Sequence, residues 1–135
     1  MTARLVAAAA LIGALVALLS GCAQGPTTPA RTPTQFTDRA VLPSCGEVEL
    51  AQGDEIPAEN ITCLQDAADE GAELAVTRPT TEGDPVTEYY RVLPGGGWEA
   101  YIDGSQDANG GIWWFTPCPE AKTLEDLATC QGGPL

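Results

Sequence analysis

Four cysteines, Cys45, Cys63, Cys118 and Cys130, lie in the last part of this chain, and a fifth, Cys22, stands apart from them. Residues 45–135 suffice for one small domain and are too few for two. Such a domain has little apolar surface to bury. An even set of cysteines in it reads as two disulfides, provided the compartment is oxidising. Three pairings are open. Cys45–Cys63 and Cys118–Cys130 are favoured because each closes a short loop, worth roughly 3 kcal/mol through lost unfolded-chain entropy. Zinc is the competing use of cysteine. The spacings are not C-x-x-C and the chain has no histidine, so zinc is set aside.

The compartment is legible at the start of the chain. Arg4 and the starting amine form a short positive region, and residues 5–19 are nearly all Ala, Leu, Val and Ile. That run suits a signal peptide better than a membrane span, which needs about 20 apolar residues. It ends in Leu19-Ser20-Gly21-Cys22, which resembles the lipobox of bacterial lipoproteins. The resemblance implies that residues 1–21 are removed and that Cys22 becomes an acylated N-terminus. Two or more acyl chains of the palmitate kind anchor a protein stably, whereas one does not. The expected address is therefore the extracytoplasmic face of the cell membrane, within the cell envelope.

Residues 22–44 read as a tether. Thr27, Thr28, Thr32, Thr34 and Thr37 mix with Pro26, Pro29 and Pro33, and no hydrophobic period appears. Such a stretch buries too little to offset chain entropy. In a proline-extended form it reaches at most ~70 Å, and its composition also suits O-linked sugars. Phe36, Val41 and Leu42 are candidates for docking on the domain.

Within 45–135, Val48 and Leu50 alternate with acidic residues, giving a short half-buried strand. Pro57, Ile61, Leu64 and Ala68 predict a helix over 57–70, stopped at Gly71. Leu74 and Val76 then alternate with polar neighbours, as do Val86, Tyr90 and Val92, then Trp98, Ala100 and Ile102, and residues 112–116 form a last strand. Pro94-Gly95-Gly96-Gly97 is a hairpin turn. Thr123 and Asp126 have the spacing of a capping box. The expected fold is α+β: one helix packed on an antiparallel meander of about four strands, stapled by two disulfides. The alternating apolar residues, with either Ile112 and Trp114 or their neighbours, form the expected core face.

The stretch Thr81-Glu82-Gly83-Asp84-Pro85-Val86 leads into two strands and an Asp-x-x-x-Asp loop, Asp103 to Asp107, with Gly110 beyond. This arrangement resembles a family of small bacterial lipoproteins of unknown function, whose members carry a T-x-E-G-D-P loop and a late cysteine pair. Cys118 and Cys130 match that pair, and Asn109 stands where the family has an aromatic residue. The resemblance implies a recurring exported module and supports the local cysteine pairing; it brings no activity.

Charge narrows the function classes. Arg78, Arg91 and Lys122 are the cations of residues 45–135, against eighteen of the nineteen carboxylates of the chain. Nucleic acid rewards basic patches and is not an expected partner. The chain lacks histidine, and Ser44 and Ser105 lie in no nucleophile motif, so the expectation is a non-enzyme. Calcium is the possible cofactor. In a meander the loops at 78–84 and 103–111 fall at the same end, where Glu82, Asp84, Asp103, Asp107 and Asn109 offer hard oxygen ligands. These are also turn residues, and Ala108 stands where an EF-hand needs glycine. The face opposite the helix carries Tyr89, Arg91, Tyr101, Trp113 and Phe115, the residue mix of binding hot spots. Either this face is open to an envelope protein or small ligand, or Leu124, Leu127 and the chain end fold over it. The expected role is a membrane-anchored, non-catalytic binding or scaffolding module. The alternative is a calcium-binding or calcium-stabilised domain.

Overall fold

The computed structural model describes residues 31–135, so the expected signal peptide, Cys22 and the expected tether up to residue 30 lie outside the described residues. In chain order the elements are α1 (Thr34–Thr37), β1 (Ser44–Glu49), α2 (Ala58–Asp66), β2 (Ala72–Pro79), β3 (Pro85–Val92), β4 (Trp98–Asp103), β5 (Trp113–Cys118), α3 (Leu124–Leu127) and β6 (Gly133–Pro134). The strands form one sheet in sequence order. β2 to β5 are the expected antiparallel meander.

The sheet has six strands rather than about four. β1 lies beside β2 and parallel to it, because the chain between them returns through α2, the crossover that a parallel pair requires. β6 adds a two-residue pairing at the far edge, beside β5. The helical content is small, and α2 ends at Asp66 rather than at residue 70. Asp66, Asp69 and Glu70 place negative charge at its C-terminal end, where the helix dipole disfavours it. Residues 67–70 form turns, and Gly71 reverses the chain at φ 82°. A side chain there would also meet Pro94 Cδ at 2.8 Å.

One face of the sheet carries the core. Leu64 of α2 and Leu74, Val76 and Val92 of the sheet are fully buried, with Trp98, Ala100 and Leu127 beside them. Leu124 and Leu127 thus join the α2 face rather than folding over the opposite one. Tyr90 is half-buried against this core, while Trp114 and Ile112 stay exposed. The two disulfides pair as expected. Cys45–Cys63 ties β1 to α2, and Cys118–Cys130 ties β5 to the turn after α3, with Cα atoms 5.7 Å and 5.8 Å apart. The capping box of α3 is formed: Asp126 N–H donates to Thr123 Oγ1 at 3.2 Å and Thr123 N–H to Asp126 Oδ2 at 3.0 Å. The donated Lys122 N–H is the main cause of the lowered Asp126 pKa. Among the described residues no helix is long and apolar enough to cross a membrane.

Candidate functional site

Side chains alternate between the faces of a strand, so the register fixes what shares the face away from α2. Glu73, Arg91 and Glu99 form one cross-strand row. Ala75, Tyr89, Tyr101 and Phe115 form the next, and Thr77, Thr87, Asp103 and Trp113 the third. The expected grouping of Tyr89, Arg91, Tyr101, Trp113 and Phe115 is therefore present on one face. Tyr101 and Phe115 have ring centroids 4.7 Å apart, and Tyr89 and Trp113 stack at 6.4 Å.

The first row is a buried ion network. Arg91 is 2% exposed. Its Nε lies 2.9 Å from Glu73 Oε2, an ion pair outside hydrogen-bond angles, and its Nη1 pairs with Glu99. Its Nη2 donates to the carbonyl of Ala40. A guanidinium this deep is tolerable only when paired on several sides.

The centre of this face is not open. Tyr101 is 4% exposed and Trp113 3%, because the end of the tether lies over them. The Phe36 ring sits 4.7 Å from Tyr89, 5.4 Å from Tyr101 and 4.5 Å from Trp113, centroid to centroid. Arg39 stacks on it, with its guanidinium carbon 3.6 Å from the ring centroid. The same guanidinium grips Glu73 with two hydrogen bonds of 2.9 Å. Residues 33–40, read from composition as tether, are thus a strap across the sheet. Of the docking candidates, Phe36 packs as expected, Leu42 approaches Gly71, and Val41 is 96% exposed. Tyr89 and Phe115 remain half-buried at the strap's margins. Beside the strap a shallow groove of about 360 Å³ is lined by Glu47, Glu49, Thr77, Thr87 and Tyr89. Among the described residues Trp113 Nε1–H is buried with no hydrogen-bond partner, an arrangement that costs about 1–3 kcal/mol. Burial raises the phenol pKa values of Tyr89 and Tyr101.

The two loops do meet at one end of the sheet, where Ala108 N–H donates to Asp84 Oδ2 at 2.9 Å. Asp103 and Asp107 there serve their own backbone turns. Asp103 Oδ1 accepts from Ser105 N–H at 2.9 Å, and Asp107 Oδ1 accepts from Asn109 N–H at 2.8 Å. Glu82 accepts from the Thr81 hydroxyl. Among the described residues no three His, Cys, Asp or Glu side chains stand close enough to share a metal ion. Arg78 pairs with Glu88 at 3.0 Å on the core side of the sheet. Glu88 also accepts the Tyr90 hydroxyl at 2.7 Å, and burial is the largest cause of the raised Tyr90 pKa. These groups edge a cleft of about 260 Å³ between α3 and the sheet, floored by Ala100 and Ile102. The alternation in the sequence places Tyr90, Ala100 and Ile102 on the core face, and α3 reads too short to reveal a wall.

Sequence reasoning missed Arg39 and Glu73 as members of the outer face. A cation three residues after the aromatic of a Thr/Pro tract was the available sign. Compared with known proteins, the chain matches no family model, no curated protein and no solved structure.

Proposed function

We propose that the chain is a lipid-anchored, non-catalytic binding module on the extracytoplasmic face of the cell membrane, and that it binds through the outer face of its sheet. The anchor rests on Leu19-Ser20-Gly21-Cys22 behind its apolar run. The binding surface rests on one observation: aromatic rings and a buried arginine on the outer face are covered by a short strap rather than by a second layer of the fold. Aromatics with arginine are what interfaces concentrate their affinity in. Among the described residues no paired nucleophile and base stands on this face, and Arg39, Glu73, Arg91 and Glu99 are held in ion pairs, which favours recognition over catalysis. The partner is an envelope protein.

A photo-reactive group at Tyr89 on the outer face, compared with one at Ala128 on the opposite side, tests this on intact membranes. A partner should be captured from position 89 and not from 128. Capture from 128 alone, or from neither, contradicts the proposal.

A further inference from the structure

We infer that the outer face recognises a protein segment carrying an aromatic residue with an arginine three positions on, and that residues 33–40 are its resident occupant in cis. This rests on the outer face being the binding surface, and it names the partner's chemistry.

The strap shows what the face accepts. Phe36 fits among Tyr89, Tyr101 and Trp113, and Arg39 forks onto Glu73 while stacking on Phe36. Charge points the same way. Glu47, Glu49, Glu73, Glu99 and Asp103 share the face, and Arg91, spent on Glu73 and Glu99, is the only strand cation among them. A segment bringing its own arginine is complementary. Trp113 Nε1–H, without a partner among the described residues, is a donor in the site that a segment's carbonyl can satisfy.

The resident segment is lightly held. α1 is four residues long, has no side-chain N-cap bond and contains no buried residue. Its hold is the Phe36 ring, the Arg39–Glu73 pair, both partners 20% exposed, and the Ala40 carbonyl. Ordering eight residues costs chain entropy that cancels much of what these contacts contribute, so the net hold on the strap is small. The face itself does not depend on the strap, because β2 to β5 set the positions of its residues through their own register. An arriving segment therefore competes with the strap. Releasing residues 33–40 lengthens the tether by about 25 Å.

The test uses the full chain purified from membranes in detergent and a fluorescent peptide of residues 31–42. The peptide should bind the Phe36→Ala/Arg39→Ala chain at least tenfold more tightly than the unsubstituted chain, whose site is occupied. Peptides carrying Phe36→Ala or Arg39→Glu should lose at least tenfold, and binding should weaken as salt rises. Equal binding to both chains, no binding to either, or no discrimination among peptides overturns the inference. Should the double variant lose its native circular dichroism, hydrogen exchange on the unsubstituted chain decides. The Thr37 and Asp38 amides, bonded to Pro33 and Thr34, should exchange at least a hundredfold faster than the bonded amides of β3 and β4. Equal protection means that the strap opens only with the whole fold, and overturns the inference. A partner captured at Tyr89 that the 31–42 peptide does not displace removes the inference and leaves the proposed function standing. Absence of capture removes both.

Discussion

The Phe36 ring packs 4.5 Å from the Trp113 ring, which joins the chain's Thr/Pro-rich segment to the last strand of the meander. The sheet thus has a helix-covered face that holds the core and a strap-covered face that holds the aromatics and the ion network.

Cys22 should carry lipid. Mass spectrometry of the chain recovered from membranes should find an N-terminus at Cys22 bearing acyl groups. A start elsewhere, or a Cys22→Ala chain that stays fully membrane-bound, rules out the anchor.

Peptide mapping without reductant should recover Cys45 joined to Cys63 and Cys118 joined to Cys130. Replacing the first pair with alanines should cost roughly 3 kcal/mol in a denaturant titration, the entropy of a short loop. Crossed linkages contradict the pairing.

Which parts of this were legible follows from the range of each pattern. Alternation at residues 74–102 is local, so strands, faces and the grouping of Tyr89 with Tyr101 could be read directly. The parallel placement of β1 is set by where α2 lands, and nothing in Val48 and Leu50 says so. The strap escaped for a related reason. Thr and Pro lower the mean hydropathy of residues 33–40, and the contacts that order them come from Phe36 and Arg39 meeting residues far along the chain. Alternation alone makes Glu73 a solvated strand position, whereas Arg39 and Arg91 both reach it. The meeting of the 78–84 and 103–111 loops was legible in the meander topology. Their chemistry was not, because side-chain oxygens that suit calcium also suit turns.

All three tyrosines, Tyr89, Tyr90 and Tyr101, have pKa values raised by burial. In the unfolded chain they ionise near 10. Above that pH the unfolded state binds fewer protons than the folded one, so stability present below about pH 10 is lost as pH rises. Native tyrosine absorbance at 295 nm should therefore show no ordinary phenol titration, and stability should fall steeply above about pH 10. A normal phenol titration in the native state contradicts the burial of these rings.

Millimolar calcium should leave the melting temperature unmoved, as should chelator, because Asp84, Asp103 and Asp107 already accept backbone N–H groups. A ligand at 100 times its dissociation constant adds about 2.7 kcal/mol, enough to read as a clear rise. A rise that disappears in Asp84→Asn or Asp103→Asn establishes the calcium alternative instead.

The most direct measurement is nuclear Overhauser contact between Phe36 and the rings beneath it in the full chain in detergent. Phe36 ring protons should show strong contacts to Trp113 and Tyr89, whose centroids lie 4.5 Å and 4.7 Å away. The Arg39 side chain should show ring-current shifts from its place over Phe36. Random-coil shifts across residues 33–40 with no Phe36–Trp113 contact, in a chain whose β2 to β5 pairings are intact, would contradict the strap and leave the aromatic face uncovered.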